Sequence, residues 1–105
     1  MLDSGLDRLF SALAEPTRRR VVELLRDGPR RAGDLAEASH VSAPVMSRHL
    51  RVLLEAGIVD DERSPVDARV RLFFLRKESI GALQSWLDSQ EPVLADVLGP
   101  ADSPT

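Results

Sequence analysis

The side chains with the most chemistry to offer cluster in residues 39–57. Ser42, Ser47, Arg48, His49 and Arg51 stand close together there, interrupted by the small or apolar Ala43 and Val45. Guanidinium forks match the paired acceptors of a guanine edge or the oxygens of a phosphate, and hydroxyls add shorter-range contacts. Ala43 and Val45 offer no side-chain hydrogen bond but could touch a thymine methyl. Other chemistries fit poorly. The absence of cysteine removes disulfides, thiolate metal sites and thiol redox sensing together. His40 and His49 lie nine residues apart, without the clustered thiolate or imidazole donors that a borderline metal needs. Ser, His and Asp all occur, yet without a nucleophile elbow, paired catalytic carboxylates or a phosphate loop, so neither an enzyme nor a cofactor is expected.

The element that must present these residues is a helix with a clear start and stop. Ser42 can be its N-cap, Val41 and Met46 are spaced for a hydrophobic staple, and Pro44 falls in the first turn, where a missing N–H breaks no intrahelical bond. Gly57 can take the left-handed conformation that ends it. Met46, Leu50, Leu53 and Leu54 form a stripe for burial, leaving Ala43, Ser47, Arg48 and Arg51 on the other side with no acid before Glu55. That arrangement suits a major groove. An ordinary amphipathic surface helix carries the same stripe, so the neighbouring elements must decide.

Upstream, residues 3–14 predict a helix with Leu6, Leu9, Phe10 and Leu13 on one side. Pro16 opens a second helix over residues 16–27, with Val21, Val22, Leu24 and Leu25 buried and Gly28-Pro29 as its stop. Arg18, Arg19 and Arg20 sit at its N-terminal end, where cations oppose the macrodipole. This suggests phosphate contact or a salt bridge, although solvation alone would also explain them. A short helix over residues 32–38 and a turn through Ser39-His40-Val41 lead into the 42–57 helix, giving a helix-turn-helix without the usual turn glycine. Beyond Gly57, Ile58-Val59 starts a strand, residues 60–68 are polar and turn-rich, and residues 69–75 alternate with Val70, Leu72 and Phe74 on one face. The resulting hairpin is a wing with Arg63, Arg69 and Arg71 near its tip. They could reach backbone or minor groove; outward charges also guard an edge strand against aggregation. A last helix over residues 77–91 places Ile80, Leu83, Trp86 and Leu87 together. Pro92 is expected to break or kink it before the apolar Val93, Leu94, Val97 and Leu98. Residues 99–105 read as a disordered tail.

At 105 residues the chain predicts one domain, residues 1–98, mainly α with a small β-hairpin in the order α-α-α-α-β-β-α. No run is long enough to span a membrane and no secretory signal is visible, so a cytoplasmic protein is expected. The net charge of −3 is unevenly spread: residues 18–51 hold eight Arg against four acids, and residues 85–105 hold four acids and no base. Local field rather than net charge governs phosphate binding. A preference for Arg over Lys fits bidentate contacts, but a GC-rich coding bias would produce it as well.

These elements in this order resemble a winged helix-turn-helix repressor, and three motifs resemble the ArsR (arsenic repressor) family in particular. Residues 10–18, Phe-Ser-Ala-Leu-Ala-Glu-Pro-Thr-Arg, are similar to that family's ALADPTR entry into its second helix. Residues 33–37, Gly-Asp-Leu-Ala-Glu, resemble its helix-turn-helix start. Residues 42–59 are similar to its S-x-P-x-V-S-x-H-L-x-x-L-x-x-A-G-L-V signature. The resemblance implies a homodimeric DNA-binding regulator that contacts double-stranded operator DNA through Ser42, Ala43, Val45, Ser47, Arg48, His49, Arg51, Arg63, Arg69 and Arg71. It implies dimer contacts through the first and last helices at Leu6, Leu9, Phe10, Leu83, Trp86, Leu87 and Leu94. The chain departs from the family's metal sensors in having Arg31 and Gly33 where those carry Cys-x-Cys, and Asp88, Glu91 and Asp96 without histidine on the last helix. It therefore resembles the metal-independent members. Family members also often carry Gln or Thr where Ala43 and Val45 stand, which leaves room for an alternative, a winged-helix protein-interaction module that no longer binds DNA.

Overall fold

The computed structural model describes the backbone of residues 5–98 and the side chains of residues 5–90. The predicted tail, the beginning of the first helix and the side chains of Glu91, Leu94 and Asp96 lie outside the described residues. The order is α1 (Gly5–Leu13), α2 (Pro16–Leu25), α3 (Ala32–Ser39), α4 (Ala43–Glu55), β1 (Val59–Arg63), β2 (Arg71–Leu75) and α5 (Lys77–Leu98). This is the predicted winged helix-turn-helix arrangement.

The α1–α2 junction shows how few residues make a corner. Glu15 is the α2 N-cap, its carboxylate accepting from the Arg18 N–H at 3.1 Å, and Pro16 fills the first turn. Arg18 Nε donates to the Ala12 carbonyl at 2.6 Å and Arg19 Nη1 to that of Leu13 at 2.8 Å. Two of the three arginines that oppose the α2 dipole thus complete the C-terminal end of α1, where cations are favoured and carbonyls lack partners. Arg30 does the same for α2 through the Leu24 carbonyl at 2.9 Å.

The turn between α3 and α4 has its left-handed residue after all, supplied by His40 at φ 59° and ψ 41°. The Val41 N–H donates to the Ala36 carbonyl at 3.1 Å and the His40 N–H to that of Glu37 at 3.2 Å, a Schellman-type close. Gly57, at φ 78°, ends α4 in the same way, with the Ile58 N–H on the Leu53 carbonyl at 3.0 Å. At the other end, the Ser42 hydroxyl accepts from the Val45 N–H at 3.3 Å, as its position predicts.

The core joins Leu9 and Ala12 of α1, Val21 and Leu25 of α2, Leu35 and Ala36 of α3, and Met46, Leu50 and Leu53 of α4 to Ile58, Val59 and Phe73. Strands β1 and β2 pair antiparallel from Val59↔Leu75 to Arg63↔Arg71. The polar residues 60–63 are therefore strand rather than loop. The buried face of β2 also differs from the alternation expected for Val70, Leu72 and Phe74: Phe73 is the core residue. The cause is nonlocal. Phe73 exchanges both backbone hydrogen bonds with Arg30, at 2.8 and 3.0 Å, and this bridge fixes which parity faces inward.

Helix α5 runs through Pro92 to Leu98 instead of ending near residue 91. Proline removes one backbone hydrogen bond there, a loss the turns on either side tolerate. Its start is tied to the end of α4 by the Ser79 hydroxyl, which donates to the Gly57 carbonyl. Among the described residues no helix is long and apolar enough to cross a membrane.

His40 is exposed and pays the left-handed penalty of a side-chain-bearing residue. His40→Gly should raise the urea-unfolding free energy by about 0.5–1 kcal/mol. A destabilised variant would mean that the imidazole contributes something beyond occupying the turn.

Candidate nucleic-acid interface

Burial of Met46, Leu50 and Leu53 sets the rotation of α4. Ser42, Ala43, Ser47, Arg48 and Arg51 are left exposed, Val45 is half-buried, and Glu55 closes the exposed row. The structure thus brings most of the predicted reading residues onto one face. Arg48 and Arg51 have no hydrogen-bond or ion-pair partner among the described residues, and the same holds for Arg63.

His49 departs from this set. Its side chain is only 16% exposed, turned toward the α1–α2 corner. Arg18 Nη1 lies 3.2 Å from Nδ1. A guanidinium has only donors, so Nδ1 must accept and the ring proton sits on Nε2, 4.0 Å from Glu15 Oε1. His49 locks α4 to the rest of the molecule; the exposed face does not include it.

Arg69 and Arg71 of the wing are exposed but engaged. Arg69 is 90% exposed and forms a forked pair with Asp67, Nε to Oδ1 at 3.1 Å and Nη2 to Oδ2 at 3.0 Å. Arg71 Nε donates to Asp61 Oδ2 at 2.6 Å, and its guanidinium lies 5.1 Å from the centre of the Phe73 ring. Arg63 and Arg71 are directly opposite in the register, a like-charge placement that the diagonal Asp61 relieves. The tip is ordered by Ser64, whose hydroxyl accepts from the N–H groups of Val66 and Asp67 at 3.2 and 3.4 Å.

Between α4 and the wing runs an open groove of about 620 Å³. Ser47 and Arg51 line one wall and Arg69 and Arg71 the other, over a floor that includes Leu50, Leu54 and Phe73. Arg31, at the head of α3, also lines it. The motifs did not select Arg31 for binding. Its only signal was membership of the basic block, which cannot tell it from Arg18, Arg19 and Arg30, all of them spent on carbonyl oxygens.

Two carboxyls are held below their ordinary range. At Glu15, desolvation works upward but is outweighed by the N–H groups of Arg18 and Thr17 and by the charge of Arg18. Asp67 is lowered mainly by the Arg69 side chain, then by the Arg69 N–H and Arg31, against some desolvation. The same pairing raises Arg69.

The family model described as "Bacterial regulatory protein, arsR family" matches residues 15–61, from the α2 cap through the helix-turn-helix into β1. The HTH-type transcriptional regulator Rv2034 of Mycobacterium tuberculosis is 43% identical over 82 residues, 78% of this chain and 74% of that protein. The chain belongs to the ArsR family. The transcriptional repressor SdpR of Bacillus subtilis is 40% identical over 58 residues, 55% of this chain, and the match spans 64% of SdpR's own length. Among solved structures, the ArsR family transcriptional regulator RHA00566 superposes with a TM-score of 0.75 at 31% identity, covering 86% of this chain and 96% of that one. The ArsR-family match contains the Glu15 cap, Arg18 and His49, the residues that join α4 to the α1–α2 corner.

This corner yields a pH signature. Glu15 has a lower pKa folded than unfolded, so its contribution is fully present above the unfolded value and is lost as the pH falls through the folded one. Glu15→Gln should therefore flatten the acid limb of the stability profile; superimposable limbs would contradict the account. Arg18→Ala strips the Ala12 carbonyl and His49 of their donor and should lower stability by about 1–3 kcal/mol, read by urea denaturation.

Proposed function

We propose that this ArsR-family protein is a DNA-binding transcriptional repressor that acts as a homodimer on a pseudo-palindromic operator. The observation that carries the reading is the convergence of exposed arginines from α4, the wing and the head of α3 on one groove, beside a capped helix whose opposite face is buried. In it, Arg48 and Ser47 reach base edges, Ser42 offers its hydroxyl proton, and Ala43 touches methyl groups, with Arg51, Arg63, Arg69 and Arg71 on the backbone. Repression requires no catalysis, because a bound dimer occludes a promoter. The protein would act in the cytoplasm, where the DNA is.

The dimer reading rests on α1 and α5. Phe10, Trp86 and Leu87 remain 42%, 40% and 54% exposed, with the rings of Phe10 and Trp86 edge-to-face at 5.2 Å. A second copy would cover them. Leu6 and Leu83 are partly covered by this subunit, and Leu9 is buried in its core. Two-fold symmetry places the half-sites about 34 Å apart or a multiple of it. Metal independence is supported by Arg31 and Gly33 in place of a thiolate pair. Residues 1–98 would act as a single DNA-binding and dimerisation domain.

A gel shift with the gene's upstream DNA at low and moderate salt should give a retarded complex unaffected by excess zinc or arsenite; no shift at either salt would favour the protein-interaction module. Arg48→Ala should weaken specific binding by about 1–3 kcal/mol, and unchanged affinity would remove Arg48 from base contact. Leu87→Glu should convert dimer to monomer in sedimentation, whereas an unaltered mass would move the interface elsewhere.

A further inference from the structure

We propose that Arg31 and Arg69 form one phosphate-binding site across the mouth of the groove, and that in the free protein Asp67 occupies it in place of a backbone phosphate of duplex DNA. The proposal rests on the DNA-binding reading above and adds Arg31 and Asp67 to it, the first as a contact and the second as the group that must be displaced.

Asp67 is bound the way an arginine binds a phosphate. Its two oxygens take the forked guanidinium of Arg69 at 3.1 and 3.0 Å, and Oδ1 also accepts the Arg69 backbone N–H at 3.0 Å. A phosphodiester presents the same pair of anionic acceptors at a fork. Arg31 approaches from a different element. It is the N-cap residue of α3, yet its side chain caps nothing, and it lines the same groove as Arg69. Its charge is felt at Asp67, among the causes that hold that carboxyl low. Arg69 thus grips a half-buried carboxylate beside the groove, and Arg31 enters the same groove from a separate element.

Such a carboxylate is easily exchanged. An exposed ion pair contributes little in water, whereas a DNA phosphate taking its place releases condensed counterions. Asp67 would keep the wing arginine ordered and partly neutralised until DNA arrives, and would lower the affinity for every duplex alike. Sequence preference would stay with α4.

The test is fluorescence anisotropy of the full chain on its upstream duplex and on a random duplex, over about 50–200 mM salt. Asp67→Asn keeps an acceptor for the Arg69 N–H and removes the charge. It should bind both duplexes about two- to fivefold tighter, the gain disappearing in an Arg31→Gln, Arg69→Gln background. Arg31→Gln alone should reduce the salt slope by about one. No gain in Asp67→Asn, or a gain that survives without the two arginines, overturns the proposal and leaves the DNA reading standing. A wild-type chain that binds neither duplex overturns both.

Discussion

The rotation of α4 about its own axis decides what this protein can touch. Met46, Leu50 and Leu53 set it by entering the core, and His49 fixes it from the side through Arg18, which reaches on to the Ala12 carbonyl. A rotation by one residue, about 100°, would bury Ser47 or Arg51 and expose an apolar stripe. Every exposed group on α4 therefore inherits its direction from apolar burial and from one guanidinium. The Glu15 cap, Pro16 and Arg18 make the corner that holds this guanidinium in place, so the α1–α2 junction and the exposed face of α4 form one mechanical unit.

Arginine serves two different ends in this fold. Arg18, Arg19 and Arg30 complete helix C-termini, where four carbonyls would otherwise lack donors. Arg31, Arg48, Arg51 and the wing arginines face solvent around a groove. The wing tempers its own charge, because Asp61 and Asp67 pair with Arg71 and Arg69. Even with Glu55 lining the groove and an overall charge of −3, the chain gathers Arg31, Arg51, Arg69 and Arg71 there.

Much of this was legible in the order of residues, because caps and amphipathic stripes are local. Ser42, Pro16, Gly57 and the Met46-Leu50-Leu53 stripe all act where their spacing places them. What escaped was nonlocal or required a residue to do another's work. Phe73 faces inward because of a backbone bridge to Arg30, more than forty positions upstream, which strand alternation cannot reveal. His40 takes a conformation usually left to glycine, so the turn lacked its usual mark. His49 and Arg31 traded expectations for the same reason: a side chain's partners depend on which element packs beside it, and only folding brings α2 to one and the wing to the other. Pro92 is a residue that breaks or kinks a helix because it costs one bond, but one bond does not end a helix of 22 residues.

On the proposed function, the exposed faces of α4 and the wing read a two-fold symmetric DNA site. In vitro selection of bound duplexes from a random library, using the purified full chain, tests it most directly. The expected outcome is an enriched inverted repeat whose half-sites are spaced by one helical turn or a multiple of it. Failure to enrich any sequence, or enrichment of a single half-site with no symmetric partner, would contradict it.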